Sequence, residues 1–335
     1  MKQRIEYIDL AKGICISLVV LLHVYGDLSG SIIKIMNLFR MPLYFVLSGL
    51  FFKTYEGLFP FLKKKTNKLL IPFLFSFLFV VIPFSVILCK MNGEDISALG
   101  LLWGEYGKLN LGINGASWFL LCLFAVNAYF YIIFLLTKQN IVGISVLSCA
   151  CGIAGYVLSR CGLYLPLWMD SALTAMPFFL MGYVLRKYSN LLYGEKSLLD
   201  LFYGLLCLLF LLGVYWFDEC QNTGVIAYGD NEFDISALCL YLGGFSGTIF
   251  VLIVSKWLNH VWGFSYVGRY SIVVLLTHLL YLFVIRNVLY QLNVPQDDVY
   301  VNFMVFVVIM LMEIPTIWFC IRYLPYCFAQ KDLWK

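Results

Sequence analysis

The stretch YIDLAKGICISLVVLLH, residues 7–23, decides the fold of this chain. It has the apolar character of a membrane-spanning helix, which needs about 20 residues to cross the hydrocarbon core. The whole chain shares this character, since its 335 residues are 62% hydrophobic and 13% charged, with a mean hydropathy of +0.88. Soluble domains carry about 25% charged residues. The composition excludes a soluble globular domain, a disordered chain and a nucleic-acid binder with a broad basic face.

We therefore predict an all-α, polytopic membrane protein with about ten transmembrane helices. Residues 1–335 are expected to form a single membrane domain without a soluble domain. The predicted spans lie near 8–27, 37–55, 69–89, 117–136, 140–159, 169–186, 198–216, 235–255, 267–288 and 299–321.

The charged residues are sorted between the two sides of these spans. With the N-terminus in the cytoplasm, and with the ends of the spans counted together with the adjoining loops, 16 of the 23 basic residues fall on the inner side and twelve of the 19 acidic residues fall on the outer side. Cytoplasmic loops of membrane proteins carry such an excess of Lys and Arg. We predict that both termini are cytoplasmic.

Two loops carry further signals. The predicted outer loop 90–116 is rich in glycine and indicates a structured lid or a re-entrant segment. The predicted inner loop 56–68 contains Lys63, Lys64 and Lys65. This cluster is either a topology signal in contact with anionic lipid or a landing site for a polyanionic cytoplasmic substrate.

Three ionisable residues lie in the first predicted span, namely Asp9, Lys12 and His23. Ionisable groups inside a span are expensive and mark candidate functional sites. Lys12 and His23 are eleven residues apart, which is three helical turns plus about 20°, so they share one face about 16 Å apart along the axis. Asp9 lies three residues before Lys12 and can pair with it.

A second polar set lies in the ninth and tenth predicted spans. Ser271 and His278 are seven residues apart and share one helix face. Glu313 precedes Pro315 in mid-span and needs a partner, for which Lys12 and Arg286 are the candidates. For His278 an interhelical hydrogen bond, and for Glu313 a purely structural pair, remain alternatives to a functional role.

The pattern favours general-base chemistry at a histidine. A neutral imidazole can act as a base near pH 7. The sequence contains neither a G-x-S-x-G nucleophile elbow, nor an HExxH motif, nor a P-loop, and its Cys and His residues lack the spacing of metal ligands, so we expect no metal site. A histidine base beside cations suits transfer of an acyl group from a polyanionic carrier to a hydroxyl.

Five stretches resemble one known family. Besides YIDLAKGICISLVVLLH, they are FRMPLYFVLSGLFF at 39–52, SWFLLCLF at 117–124, PFFLMGYVLRKY at 177–188 and GRYSIVVLLTHLL at 268–280. In this order they resemble the motifs of the acyltransferase-3 family, whose integral membrane enzymes modify bacterial surface sugars and related acceptors. The first-helix signature of that family is Arg or Lys followed after ten residues by His, which Lys12 and His23 fit.

The resemblance implies an O-acyltransferase of the bacterial cytoplasmic membrane. Such an enzyme moves an acetyl or other short acyl group from cytoplasmic acetyl-CoA or another acyl-CoA to a hydroxyl of a carbohydrate or lipid-linked glycan at the extracytoplasmic side. His23 is then the general base, Lys12 the essential cation and Asp9 the residue that holds Lys12. Some members carry a fused esterase-like domain, which we do not expect here, so transfer is expected to reach the final acceptor directly or through a partner.

The resemblance also implies an acceptor site. Arg40 and Trp118 are expected at the outer ends of their helices, where Trp118 can stack on a sugar or serve only as an interfacial anchor. Arg40 departs from the family, which commonly has His before the Met-Pro pair, and a guanidinium cannot act as a base at neutral pH. Ser271, His278 and Glu313 are expected to complete the substrate site.

Two other functions stay open at this point. The polar stripe of the first span could line the path of a transporter or flippase for a lipid-linked sugar or a small anion. The acidic outer loops could instead belong to a sensor or receptor. The expected partners are acyl-CoA, a glycan acceptor and membrane lipids, without nucleic acid, and the oligomeric state is left open between a single chain and a homo-oligomer.

Overall fold

The computed structural model describes residues 5–26, 31–92, 100, 102–104, 107–188, 196–220 and 225–334. These residues form a helical bundle, which confirms the predicted all-α fold. The helices are α1 (Glu6–Tyr25), α2 (Ser31–Leu50), α3 (Leu58–Lys65), α4 (Ile71–Ser76), α5 (Ile82–Asn92), α6 (Trp118–Leu136), α7 (Ile141–Arg160), α8 (Met169–Tyr188), α9 (Leu198–Cys220), α10 (Ala237–Leu258), α11 (Trp262–Arg269), α12 (Ser271–Gln291) and α13 (Val299–Tyr323).

Helices α3, α4 and α5 form one continuous helical segment joined by two π-helical turns, Thr66–Leu70 and Phe77–Val81. Each π-turn is followed within two residues by a proline, Pro72 or Pro83. A proline cannot donate to the carbonyl four residues before it and its ring clashes there, so a wider turn relieves the strain. The predicted inner loop 56–68 is therefore wrong from Leu58 onward, because that stretch is helical.

Nine helical segments within the described residues are long and apolar enough to cross a membrane. The predicted span at 169–186 corresponds to α8, which has the length of a span but is less apolar and is not among the nine. Helix α8 packs against α2, α6 and α7, and its first half is almost entirely buried. A helix surrounded by other helices needs less apolar surface than one that faces lipid.

The second span is displaced from its predicted position. We predicted 37–55, whereas α2 runs from Ser31 to Leu50. The helix ends early because the chain turns after Leu50, and Tyr55 and Glu56 adopt positive φ angles of 51° and 61° that no helix continues through. Of the predicted outer loop, residues 93–99, 101, 105 and 106 lie outside the described residues.

The bundle has two chemically distinct ends. At the lysine-rich end, Lys256 Nζ lies 2.9 Å from Asp200 Oδ2 and Arg186 Nη1 donates to the Phe52 carbonyl at 2.9 Å. At the acidic end, the Tyr25 hydroxyl donates to the Val299 carbonyl at 3.2 Å. The acidic end also carries a set of loop carboxylates, Asp230, Glu232, Asp234, Asp297 and Asp298.

Glycine pairs allow two helix crossings at very short range. Where α2 crosses α8, a Cβ added to Gly49 would lie 2.0 Å from the Phe179 carbonyl oxygen, and one added to Gly182 would lie 2.0 Å from that of Val46. Such close backbone approach is typical of small residues between membrane helices.

The second crossing holds α1 in the bundle. A Cβ on Gly13 of α1 would lie 1.9 Å from the Phe264 carbonyl oxygen, and one on Gly268 of α11 would lie 1.9 Å from that of Asp9. Helix α1 also packs against α2, α10, α12 and α13. Because α11 fills the lysine-rich end beside α1, helix α12 begins deep in the bundle.

A short hairpin closes part of the acidic end. Its strands, β1 (Ile226–Ala227) and β2 (Glu232–Phe233), pair antiparallel. The fully buried Asn231 fixes the hairpin, since its side chain donates to the Gly155 carbonyl at 3.2 Å and accepts from the Thr174 hydroxyl at 2.8 Å. The hairpin is therefore anchored between α7 and α8.

The C-terminal segment docks on the end of α3 and on the π-turn that follows it. Lys64 Nζ lies 2.6 Å from Asp332 Oδ2, and the Asn67 side chain exchanges two 2.8 Å hydrogen bonds with the backbone of Trp334. The hydrogen bond from Lys64 holds the pKa of the Asp332 carboxyl below its usual value. The predicted lysine cluster is thus partly engaged by the chain itself.

The glycine crossing of α2 and α8 gives a test of the fold. We expect Gly182→Ala to lower the melting temperature of the detergent-purified protein, because the new Cβ meets backbone that cannot move aside, at a cost of about 1–3 kcal/mol or more. Gly213→Ala in α9 is the matched control, since its Cβ would meet nothing within 4 Å. Equal melting temperatures for the two variants would contradict the observed packing of α2 against α8.

Candidate active site

A cavity of about 910 Å³ runs through the bundle beside α1. Its volume lies within the range of small-molecule sites. Lys12, Lys65 and Lys68 line it toward the lysine-rich end, while Gly26 and Asp230 line it toward the acidic end. The cavity thus connects the two chemically distinct ends of the protein.

The polar stripe predicted on α1 faces this cavity. Lys12, Ile16, Val19 and His23 all line it, at spacings of four, three and four residues. The prediction that Lys12 and His23 share one face is therefore confirmed. Lys12 Nζ lies 5.3 Å from the centre of the Phe51 ring, within range of a cation–π interaction.

His23 lies next to a second histidine. The ring centroids of His23 and His278 are 5.3 Å apart. His278 is fully buried, and its Nδ1 lies 2.6 Å from the Val274 carbonyl oxygen. A carbonyl only accepts, so Nδ1 carries the proton and the Nε2 of a neutral ring is an acceptor. That Nε2 has no hydrogen-bond partner among the described residues.

Arg40 lies in the middle of α2, so the expectation that it stands at an outer helix end is wrong. The displaced span explains the error, because α2 begins at Ser31 rather than at residue 37. Arg40 lines the cavity, and its Nε donates to Asn37 Oδ1 at 3.1 Å. Side chains of a helix lean toward its N-terminus, so Arg40 leans toward the acidic end.

Trp118 lies where it was predicted, at the first turn of α6 and in the wall of the cavity. The preceding 3₁₀ turn, Gly112–Ser117, is anchored by the buried Asn114, whose amide donates to the Ser76 hydroxyl at 2.7 Å and to the Leu276 carbonyl at 3.1 Å. Gly229 of the hairpin packs on the indole, since a Cβ there would lie 3.1 Å from the ring.

Ser271 lines the cavity beside a residue that the sequence did not single out. The Tyr44 hydroxyl donates to the Lys12 carbonyl at 3.4 Å and interacts with the Ser271 side chain. Tyr44 therefore links α1, α2 and the start of α12. Its position four residues after Arg40 places both on one face of α2, which was the available signal.

Glu313 is buried outside the cavity wall, and neither predicted partner pairs with it. The Thr277 hydroxyl lies 2.8 and 2.9 Å from its two carboxylate oxygens. Arg286 bonds instead to the Val24 and Gln296 carbonyls and to the Asn302 side chain. Glu313 is thus bound to a hydroxyl one helix away, an arrangement that helical spacing within one chain segment cannot reveal.

Asp9 is likewise not among the cavity-lining residues of the described chain. It lies one turn before Lys12, at the crossing of α1 with α11. Asp9 and Glu313 therefore lie outside the cavity wall. The predicted residues that the structure places in or beside the cavity are Lys12, His23, Arg40, Trp118, Ser271 and His278.

A family model described as an acyltransferase domain matches residues 5–322. The chain belongs to the acyltransferase-3 family. No curated protein and no solved structure matches it. The protein is thus a membrane acyltransferase, and the match covers every residue that lines its cavity.

The cavity of this acyltransferase is strongly cationic. The charged residues that line it within the described chain are five cations, Lys12, Lys34, Arg40, Lys65 and Lys68, and one carboxylate, Asp230. Sequence reasoning named Lys65 in a possible landing site for a polyanionic substrate, but it did not place Lys65 or Lys68 in the cavity because it assigned both to a loop rather than to helical turns. Clefts lined by one sign of charge concentrate ligands of the opposite sign.

The hydrogen bond between Thr277 and Glu313 inside the acyltransferase can be tested by its contribution to stability. We expect Thr277→Val to lower the protein's free energy of unfolding by about 1–3 kcal/mol, because an isosteric methyl leaves a buried carboxyl without its partner. Thr277→Ser keeps the hydroxyl and is the matched control, and thermal denaturation in detergent measures both. If the valine variant were as stable as the serine variant, Glu313 would have another partner.

Proposed function

We propose that this acyltransferase transfers an acetyl or other short acyl group from cytoplasmic acyl-CoA to a hydroxyl of a carbohydrate or lipid-linked glycan at the extracytoplasmic side of a bacterial plasma membrane. One observation carries the proposal, namely that a single cavity joins the lysine-rich end to the acidic end and passes His23. The excess of Lys and Arg at one end favours a cytoplasmic location for that end and for both termini.

The donor half of the cavity suits a polyanionic carrier. Coenzyme A carries a pyrophosphate and a 3′-phosphate, and Lys12, Lys65 and Lys68 line the end of the cavity that we assign to the cytoplasm. The side chain of Lys12 leans toward that end, because α1 begins there. Lysines bind phosphate as point charges, so these residues hold the carrier while its thioester reaches deeper toward His23.

His23 performs the proton transfer in this proposal. Its imidazole removes the proton from the acceptor hydroxyl as the oxygen attacks the thioester carbonyl carbon. The tetrahedral intermediate then collapses, the C–S bond breaks, and the imidazolium returns the proton to the thiolate of coenzyme A. Such general acid–base catalysis contributes about 10²–10⁴-fold.

His278 supports this step as a positioning residue. Its Nδ1–H donates to the Val274 carbonyl. Its Nε2, which has no partner among the described residues, is therefore available to accept a hydrogen bond from a donor beside His23. A hydrogen bond at one ring nitrogen of a catalytic histidine fixes its tautomer and orientation. With their ring centroids 5.3 Å apart, the two imidazoles lie close enough for His278 to restrain the His23 ring directly.

The acceptor half lies toward the acidic end. Trp118 offers an indole face there, and Gly229 packs against part of that ring. The partly exposed ring can stack on the apolar face of a sugar. Ser271 and Arg40 supply hydrogen bonds deeper in the cavity.

One observation also favours transport as a second candidate function. The same cavity reaches both ends of the bundle, as a path for a lipid-linked sugar or a small anion would. A transporter moves its substrate without consuming acyl-CoA. Release of coenzyme A that depends on the acceptor therefore separates the two functions.

His23 gives the central test. We expect His23→Ala to lower acetyl transfer from radiolabelled acetyl-CoA to membrane glycans by at least about 10²-fold, because the base is lost. His260→Ala is the matched control, since His260 is exposed in the loop between α10 and α11. Monodisperse elution of both variants in detergent shows that the fold is kept. Wild-type activity in the His23 variant would overturn the assignment.

The donor site gives a second test. We expect Lys12→Gln and Lys65→Gln each to raise the KM for acetyl-CoA by about tenfold, which corresponds to one lost charge-assisted contact of about 1.4 kcal/mol. Lys138→Gln, an exposed lysine at the same end, should leave KM unchanged. Acetyl-CoA without its 3′-phosphate serves as the second probe. Equal KM values for all proteins would place the phosphates elsewhere.

A further inference from the structure

Within the part of the chain that the structure describes, no carboxylate balances the charge of Arg40. The guanidinium donates through Nε to Asn37, and no carboxylate of the described residues lies within ion-pair distance of it. An unpaired charge inside a membrane bundle is costly and is retained where it serves a function. Because Arg40 lines the cavity, a bound ligand can supply the missing negative charge.

A second unsatisfied donor lies opposite Arg40, on the hairpin. Tyr228 is only 3% exposed, and its hydroxyl has no hydrogen-bond partner among the described residues. It lines the same cavity and interacts electrostatically with Arg40. Burial raises the pKa of Tyr228 well above its usual value, so the hydroxyl keeps its proton and remains a donor. Buried polar groups without a partner are rare in native proteins.

Both donors are held in place by the fold. The Tyr228 ring packs 5.0 Å from Phe233 and 6.2 Å from Phe178, measured between ring centroids. The hairpin that carries Tyr228 is fixed by the buried Asn231. On the other wall, the hydrogen bond to Asn37 restrains Arg40. Two preorganised donors therefore face one space.

The chemistry of this pair selects the charge of the ligand. An arginine has five N–H donors and no acceptor, and its planar fork matches the oxygens of carboxylates and phosphates. A neutral sugar hydroxyl satisfies hydrogen bonds but leaves the charge unbalanced. The next residue of the hairpin, Gly229, packs on Trp118, so the anion site adjoins the surface that we assign to the sugar ring.

We propose that Arg40 and Tyr228 bind an oxyanion substituent of the acceptor, so that this enzyme acylates an acidic sugar or a sugar phosphate in preference to a neutral one. This inference rests on the proposed function and names the substrate class of its acceptor site. Arg40 and Tyr228 act as specificity-determining residues, since neither takes part in the proton transfer at His23.

The test compares three acceptors with the purified protein in nanodiscs of uncharged lipid at saturating acetyl-CoA. They are methyl β-D-glucuronide, glucose 1-phosphate and methyl β-D-glucoside, and mass spectrometry measures acetyl transfer to each. We expect a KM at least about tenfold lower for one of the charged acceptors than for the neutral glucoside, from a charge-assisted bidentate contact. The charged acceptor that is preferred distinguishes a carboxylate from a phosphate.

The variants assign this preference to the two residues. Arg40→Gln should abolish the preference by raising the KM for the charged acceptor to about that for the glucoside, and Tyr228→Phe, which keeps the ring packing, should reduce the preference several-fold. Arg322→Gln and Tyr203→Phe, both exposed, are the matched controls. Equal KM values for charged and neutral acceptors in the wild-type protein would overturn the inference. A rise in the KM for acetyl-CoA alone in Arg40→Gln would also overturn it, because the anion would then belong to the donor.

A binding measurement separates this inference from the proposed function. Calorimetry without acetyl-CoA measures the affinity of the wild-type protein and of both variants for methyl β-D-glucuronide and for glucose 1-phosphate. Binding that is lost in Arg40→Gln, without acetyl transfer to any acceptor, would support the anion site and overturn the transferase proposal. Transfer that occurs with no such binding would support the transferase and overturn the anion site.

Discussion

Every ionisable group inside this bundle must be paired with a polar partner or face the cavity, because the hydrocarbon around it offers no water. The paired groups are structural. Arg286 ties the last turn of α1 to α13, Lys256 pairs with Asp200, and Glu313 is bound to Thr277. A second set, Lys12, His23 and Arg40, lines the cavity. The same constraint therefore divides the polar residues into those that hold helices together and those that line the candidate active site.

The position of α1 determines where the residues of the candidate site lie relative to one another. Glycine contacts at Gly13 and Gly268 bring α11 against the first half of α1, and α12 consequently begins inside the bundle, about one turn beyond Lys12, rather than at the bundle end. Seven residues further, His278 reaches the level of His23. A larger residue at either glycine would push α11 away and would separate the two histidines. The packing of small residues is thus a condition for the pairing of the histidines.

The sequence correctly predicted the features that depend on a single helix. The common face of Lys12 and His23 follows from helical spacing alone, and the apolar runs identify the bundle. It failed where the outcome depended on where a helix begins or on a neighbour distant in the chain. Arg40 was misplaced because the start of α2 has no strong apolar signal, and the partner of Glu313 lies on another helix. Tyr228 was missed because a two-residue strand pair in a loop has no periodicity to reveal it.

The candidate site itself consists of two parts, one on the central helix α1 and one at the acidic end of the bundle. The residues assigned to the proton transfer and the donor, His23 and Lys12, project from the rigid central helix α1. Those assigned to the acceptor, Trp118 and Tyr228, belong to a helix start and a hairpin at the acidic end. Changes in the hairpin can alter which acceptor is held without moving His23, since the hairpin is anchored to α7 and α8 through Asn231 rather than to α1. The proposed reaction and the proposed choice of acceptor are therefore separable in this fold, and Arg40 on α2 belongs to the acceptor side of the cavity.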